Sequence, residues 1–117
     1  MSRRDPIVRL QYMRDYARKA MAMASGKTRA DLDQDETFGL ALARLRELIG
    51  EAASQVPPEF RENYPKIPWA KMIGMRNRLI HAYEDIDYNI LWDATTVNLP
   101  QLLAEIETIL SAEKSKS

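Results

Sequence analysis

The apolar residues of this chain recur every three or four positions along most of its length, which is the spacing of amphipathic helices. The first such pattern predicts a helix that begins at Asp5-Pro6, with aspartate at the cap and proline at the first helical position. Its apolar face consists of Ile7, Leu10, Met13, Ala17, Ala20 and Ala24. Ser25-Gly26 is expected to end this helix, because glycine readily adopts the left-handed conformation of a helix terminus.

The clearest pattern follows a polar stretch, residues 27–35, which is typical of a loop or of the entry to a helix. Apolar residues then recur in alternating steps of four and three, and they form a face of Phe38, Leu42, Leu45, Ile49, Ala52 and Val56. Pro57-Pro58 is expected to end this helix, because a proline disfavours helical conformation in the residue before it. Three prolines in residues 57–67 predict a loop with at most one short turn of helix.

The C-terminal half predicts three more helices. Pro68 begins a third long helix, and Asp87 can cap a fourth that carries Ile90, Leu91, Ala94 and Val97. Asn98-Leu99-Pro100 is expected to start a fifth, with an apolar face of Leu102, Leu103, Ile106, Ile109 and Leu110. The pattern therefore predicts an all-α, antiparallel bundle of four to five helices. Residues 1–111 form its single domain, and residues 112–117 form a polar C-terminal tail.

The composition of the chain narrows the choice of partners and compartments. Seventeen basic residues balance seventeen acidic ones, so any contact with nucleic acid must come from a local patch rather than from net charge. There is no cysteine, no apolar run of the ~20 residues that span a bilayer, and no apolar stretch after the Met-Ser-Arg-Arg-Asp start. We therefore expect a cytoplasmic protein without membrane contact.

The third long helix carries the chain's only histidine, His81, five residues after Arg76. Imidazole has an unperturbed pKa of about 6.5 and can both donate and accept a proton near neutral pH. Arginine is permanently charged and binds a phosphate through two hydrogen bonds. Such a pair can cleave a phosphodiester without a metal ion. On an ideal helix the two side chains lie about 140° apart, so they converge only if the helix distorts or if two copies meet across a two-fold axis.

A helical wheel of residues 69–83 places Arg76 within an apolar arc of about 120°. The other members of this arc are Leu79, Met72, Tyr83, Trp69, Ile80 and Ile73. A buried guanidinium requires a counter-charge, which is either an acidic neighbour such as Glu51 or a bound anion, and the wheel leaves both open.

Beside this arc lies a second stripe of Ala70, Gly74, Asn77 and His81. Glycine inside a helix costs about 1 kcal/mol relative to alanine, so Gly74 predicts a close contact with another helix. Ordinary core packing with a structural histidine is the alternative. Lys71 and Arg78 project to the opposite side, where we expect them to be solvated.

Other chemistries find no support in the sequence. One histidine and no cysteine do not form a usual zinc site, and we expect neither a metal nor a cofactor. No phosphate-binding glycine loop or nucleophilic serine elbow is present, which argues against a kinase or a nucleotidyltransferase.

Three segments carry a resemblance to a known family. They are Ile49-Gly50-Glu51-Ala52, Tyr64-Pro65-Lys66-Ile67-Pro68-Trp69 and Gly74-Met75-Arg76-Asn77-Arg78-Leu79-Ile80-His81-Ala82-Tyr83. Together with the later Asp87, Leu91-Trp92 and Leu99-Pro100, they resemble the HepT-like branch of the HEPN superfamily, the ribonuclease toxins of two-gene toxin–antitoxin systems. The resemblance covers most of residues 5–110.

The resemblance implies a helical bundle that dimerises through its motif helices, with a composite active site between them. It implies metal-independent endoribonuclease activity on RNA, in which the ribose 2′-hydroxyl attacks the phosphate and leaves a 2′,3′-cyclic phosphate and a 5′-hydroxyl. Arg76, Asn77 and His81 match the family's site residues. We expect His81 to act as general base or acid, Arg76 to stabilise the transition state, and Asn77 to orient one of them.

Tyr83 matches a family tyrosine that can accept AMP groups from a partner, a minimal nucleotidyltransferase antitoxin. On the wheel Tyr83 lies with the apolar residues, so this modification requires that its hydroxyl reach solvent near the helix end; a core tyrosine is the alternative. Two other functions stay open for the chain: a non-catalytic helical adaptor for that nucleotidyltransferase, and a module that binds RNA or a nucleotide without turnover.

Overall fold

The computed structural model describes residues 5–81 and 86–116, with the side chain of His81 excepted. The described residues form α1 (Pro6–Ala24), α2 (Arg29–Gln34), α3 (Glu36–Ser54), α4 (Pro58–Glu62), α5 (Trp69–His81), α6 (Tyr88–Asp93), a π-helical turn (Ala94–Asn98) and α7 (Leu99–Ser115). They contain no strand, so the predicted all-α helical bundle is confirmed. Among these helices, none is long and apolar enough to cross a membrane.

Aspartates begin three of the helices, as capping chemistry predicts. The carboxylate of Asp5 accepts a hydrogen bond from the backbone N–H of Ile7 at 2.9 Å, and Asp35 accepts one from Phe38 at 3.1 Å. Asp87 accepts hydrogen bonds from the first backbone N–H groups of α6. Each carboxylate satisfies donors that have no partner within the helix. At the other end of α1, Gly26 has a φ of 77°, which confirms the predicted stop.

Helix α3 lies at the centre of the bundle. Helices α1 and α5 both pack against it, and α7 packs against α1. The buried apolar residues of α3 are Phe38, Leu42, Ala43, Leu45, Ile49, Ala52 and Ala53. Helix α1 buries the predicted face except for Ile7, which is only partly covered. The long amphipathic patterns therefore place α5, the helix with the histidine, directly against the core helix.

The two C-terminal helices begin where the sequence predicted, after Asp87 and after Asn98, but no break separates them. Residues 88–115 form one continuous helical run, in which the π-helical turn joins α6 to α7. Proline removes one backbone donor and its ring collides with the carbonyl four residues before it, so the widened turn accommodates Pro100 without a break. The hydroxyls of Thr95 and Thr96 donate to the carbonyls of Leu91 and Trp92, at 2.9 and 2.8 Å, within this bend.

Candidate active site

Helices α3 and α5 cross in close contact at Gly50. A Cβ atom added there would lie 2.6 Å from the backbone carbonyl oxygen of Met72 and closer still to the Cβ of Arg76. Real side chains do not come that near to a backbone oxygen, so only glycine allows this crossing. The crossing therefore fixes the position of Arg76 on α5. Glu51, the residue after Gly50 on α3, lies beside it.

Arg76 forms an ion pair with Glu51 across this crossing. Its Nε donates to Oε2 of Glu51 at 2.8 Å, and its Nη2 donates to the same oxygen. The remaining nitrogen, Nη1, donates to Oδ1 of Asn77 at 2.6 Å. The Arg76 side chain is 25% exposed and that of Glu51 41%, so the pair is partly open to solvent. Of the two counter-charges that the sequence left open, the structure contains the acidic neighbour.

Glu51 is held on both of its oxygens. Gln55, the residue that follows the end of α3, donates from Nε2 to Oε1 of Glu51 at 3.1 Å. The hydrogen bonds from Arg76 hold the pKa of Glu51 below its usual value; burial opposes this shift, and Gln55 and the charge of Arg76 add to it. The carboxylate is therefore charged at neutral pH, and it orients the guanidinium.

This pKa shift predicts how the Arg76–Glu51 pair contributes to stability. Because the pKa of Glu51 is lower in the folded chain, the carboxylate stabilises the fold above its ordinary value of 4.5, and this contribution is lost as pH falls through the lowered value. At neutral pH, Glu51→Gln is expected to reduce the unfolding free energy by about 0.5–1 kcal/mol, since the pair is partly exposed. Urea unfolding of both proteins over a pH series measures this difference.

Glu59→Gln, at an exposed position of α4, is the matched control and should change stability little at any pH. The stability difference between the wild type and Glu51→Gln should shrink below pH 4.5. A difference that persists unchanged in acid would contradict the role of the Glu51 charge.

The buried face of α5 is rotated from the predicted one. The structure buries Trp69, Met72, Met75 and Leu79. It leaves Ile80 44% exposed and Ile73 only partly covered, so Arg76 lies at the edge of the buried face rather than in its middle. The prediction placed Ile73 and Ile80 in the arc because a wheel shows which residues are apolar and not which helix they meet.

The stripe of Ala70, Gly74, Asn77 and His81 does not form a seam within the described part of the chain. A Cβ added to Gly74 would meet nothing within 4 Å, and both Ala70 and Asn77 are exposed. Among the described residues of one copy, Gly74 therefore makes no close contact with another helix, and the predicted contact stays a prediction for a second copy. The side of α5 that carries Ile73, Gly74, Asn77 and Ile80 is called the open face of α5 below.

The structure describes the backbone of His81 but not its side chain. His81 is the last residue of α5, so its backbone continues the helix that carries Arg76 and Asn77. Its side chain lies outside the described residues, and so does all of Tyr83. The structure thus brings Arg76 and Asn77 together with Glu51. The geometry between them and the imidazole stays a prediction.

Sequence reasoning did not identify Gln55 or the structural role of Gly50. The sequence does carry a signal for both. A glycine inside a helix, next to a glutamate, indicates a close helix contact beside a charge, and Gln55 lies one turn after that glutamate on the same face.

Comparison with known proteins gives consistent matches. A model of the family described as "Ribonuclease HepT-like" matches residues 13–109. The chain is 39% identical over 84 residues to "Putative RNase TTE0752" of Caldanaerobacter subterraneus subsp. tengcongensis, which covers 72% of this chain and 75% of the relative. It is 38% identical over 84 residues to "Putative RNase MJ1380" of Methanocaldococcus jannaschii, covering 68% and 77%. It is 37% identical over 75 residues to "Probable ribonuclease HepT" of Thermococcus cleftensis, covering 64% and 68%. No solved structure is significantly similar to the chain.

Proposed function

Because the chain belongs to the HepT-like ribonuclease family, as its motifs predicted, we propose that it is a metal-independent endoribonuclease. The observation that carries this proposal is the arrangement on α5. Arg76 is fixed by Glu51 and Asn77, and the same continuous helix ends at His81. Because the guanidinium is held on two sides, it needs little rearrangement when it binds a phosphate. Such a preorganised charge is what electrostatic stabilisation of a transition state requires.

The proposed reaction is an internal transesterification of RNA. A base removes the proton from the ribose 2′-hydroxyl, and the 2′-oxygen forms a bond to the adjacent phosphorus. The bond from phosphorus to the 5′-oxygen breaks, and an acid gives that oxygen a proton. The products are a 2′,3′-cyclic phosphate and a 5′-hydroxyl. His81 supplies the proton transfer, Arg76 binds the charge that builds on the phosphate, and Asn77 orients Arg76.

We further propose that two copies of the chain assemble through the open face of α5. This face carries the exposed Ile80, the partly covered Ile73, and Gly74, where another backbone can approach closely. The reaction needs both a base and an acid, and each chain has one histidine. An isologous dimer brings two copies of His81 and Arg76 to one cleft, although on a single helix they point about 140° apart.

The test is cleavage of a mixed RNA pool by the purified wild-type dimer in the presence of EDTA. Fragments that end in a 2′,3′-cyclic phosphate and begin with a 5′-hydroxyl are the expected products. Activity that requires an added divalent cation, or fragments with 5′-phosphate ends, would overturn the proposed mechanism.

The biological setting that we propose is the toxin of a toxin–antitoxin pair, with a minimal nucleotidyltransferase as its antitoxin. The acceptor of AMP would be Tyr83, which follows α5 by two residues. Incubation with that partner and ATP is expected to add AMP to the wild type but not to Tyr83→Phe, as measured by mass spectrometry. Equal modification of both proteins would exclude Tyr83 as the acceptor.

A non-catalytic adaptor for the nucleotidyltransferase is the second candidate, and the zero net charge of the chain favours it. Absence of RNA cleavage by a folded, unmodified wild-type dimer would support the adaptor over the nuclease.

A further inference from the structure

Arg46, on α3, is a buried cation that the proposed reaction does not use. Its side chain is only 6% exposed. Its Nη2 donates to the sulfur of Met75 at 3.4 Å, which is a weak acceptor, while Nε and Nη1 have no hydrogen-bond partner within the described residues. Burial lowers the pKa of Arg46 to about 10, so the guanidinium is still charged at neutral pH. A buried charge without a counter-charge is destabilising unless something else compensates it.

Arg46 lines a groove that runs between α5 and the π-helical turn with the start of α7. The groove has a cavity volume of about 830 Å³, which lies within the range of small-molecule sites, roughly 300–1,000 Å³. Three further cations line it: Lys66, Lys71 and Arg78. All three are exposed, and none forms an ion pair in the part of the chain that the structure describes. Four positive charges therefore face one cavity.

The groove is separate from the candidate active site. None of Glu51, Arg76 and Asn77 lines it. On α5 the directions of Lys71 and Arg78 lie about 100–120° from that of Asn77 but only about 40–60° from that of Gly74, so the groove borders the open face along Gly74.

The two walls of the groove differ in chemistry, and this limits the ligand. The α5 wall is basic, whereas the opposite wall carries Asp93 and Glu105 beside the amides of Asn98 and Gln101. The carboxylates of this wall repel phosphate groups. Together with the amides, they can form hydrogen bonds with hydroxyl and amino groups of a ligand. Met72 and Met75 also line the groove, and methionine sulfur makes favourable contacts with aromatic rings. A ligand that fits both walls therefore has an anionic end, a flat apolar ring and polar groups at the edge of that ring.

We propose that this groove binds one nucleotide, with its phosphate at Arg46 and the lysines and its base against Met72 and Met75. The side chain of Met75 lies against the guanidinium and has several rotatable bonds, so it can move aside when an anion arrives. The phosphate then accepts hydrogen bonds from the nitrogens of Arg46 that lack a partner. The nucleotide is either a free mononucleotide or one unit of a single strand, and these two sources share the same recognition chemistry.

Methyl NMR of the full-length protein with labelled methionines tests the proposal. Two of the described methionines, Met72 and Met75, line the groove, and three lie on α1: Met13, Met21 and Met23. Titration with AMP is expected to shift the first two signals in a saturable manner and to leave the other three unchanged. A parallel titration with short oligo(dA), which lacks the 2′-hydroxyl and is not cleaved, shows whether a strand or a free nucleotide binds more tightly.

Arg46→Met removes the charge at nearly constant size and is expected to weaken AMP binding roughly 10- to 100-fold, the usual loss for a charged hydrogen bond. Arg46→Lys keeps the positive charge and should therefore retain part of the AMP affinity. The matched control is Lys19→Met, which removes an exposed cation from α1 and should bind AMP like the wild type. Without ligand, Arg46→Met should melt at a higher temperature than the wild type, because it removes a buried charge for which the described residues show no ion-pair partner. This melting temperature also shows that the variant is folded.

Three results would overturn the proposal: AMP that shifts neither Met72 nor Met75, equal AMP affinity of Arg46→Met and the wild type, or inorganic phosphate that binds as tightly as AMP. The inference goes beyond the proposed nuclease and does not rest on it, because the titrations involve no cleavage. A chain that cleaves RNA without binding AMP, or binds AMP without cleaving RNA, separates the two proposals.

Discussion

Replacing His81 with alanine is expected to reduce RNA cleavage by roughly 10²–10⁴-fold, because it removes the proton-transfer group from both halves of the proposed dimer. The chain contains no second histidine that could substitute for it. The substitution leaves in place the four described residues that α5 buries, which are Trp69, Met72, Met75 and Leu79. Initial cleavage rates in EDTA, at equal concentrations of folded protein, measure the effect.

Arg76→Ala should also reduce RNA cleavage by about 10²–10³-fold, since in the proposed reaction it removes the charge that faces the phosphate. Arg76→Ala needs an additional control, because it leaves the Glu51 carboxylate without its ion-pair partner and so affects stability as well. The double variant Arg76→Ala, Glu51→Gln removes that unpaired charge. If Arg76 acts on the phosphate, the double variant regains stability but not activity. If Arg76 only holds the fold, activity returns together with stability.

Lys19→Ala is the matched control for both substitutions, because it removes an exposed cation from α1. If His81→Ala, Arg76→Ala and Lys19→Ala all cleave RNA as fast as the wild type, the nuclease site lies elsewhere in the chain. A loss in Arg76→Ala alone would remove His81 from the reaction and leave Arg76 as a group that only binds RNA.

The sequence predicted most of the helices because their local signals agree with one another. Helix α1 combines an aspartate cap, a proline at its first position and a glycine stop, and the structure contains all three. Both C-terminal helices begin where the sequence predicted, after Asp87 and after Asn98, but the sequence did not predict that they are joined without a break. Asn98-Leu99-Pro100 has the composition of a helix start, and nothing nearby in the sequence signals that a π-helical turn will carry the helix through the proline.

The candidate site could be predicted only in part, because a helical wheel does not show what lies opposite each residue. It placed Ile73 and Ile80 with the buried residues, although no helix of the described chain covers them fully. It left the partner of Arg76 undecided, because a carboxylate and a bound phosphate satisfy a guanidinium equally well. Arg46 gave no signal, since a single arginine between apolar neighbours on an amphipathic helix is common. Only the packing of α5 on α3 shows that it is buried.

Gly50 and Gly74 offer a matched pair of substitutions with opposite expected results. Both are glycines inside long helices, so alanine brings the same gain in helix propensity, about 1 kcal/mol, to each. At Gly50 the new methyl group would lie 2.6 Å from a backbone oxygen of α5, which cannot move without separating the helices. We expect Gly50→Ala to reduce the unfolding free energy by about 1–3 kcal/mol in spite of that gain, and to displace Arg76 from Glu51. RNA cleavage should fall along with stability, because the same crossing positions the guanidinium.

At Gly74 the new methyl group meets nothing within 4 Å in the described chain, so Gly74→Ala should raise the stability of the isolated protomer by about 0.5–1 kcal/mol. If the open face of α5 is the dimer contact, the same methyl group occupies space that the second copy needs, and the dimer should dissociate more readily. Urea unfolding over a range of protein concentrations separates these effects, because only dimer dissociation depends on concentration. A variant that is more stable as a protomer but weaker as a dimer would identify Gly74 as a point of close contact between copies. A variant with unchanged dimer affinity would move the interface away from this face, and with it the proposal that two copies of His81 share one cleft.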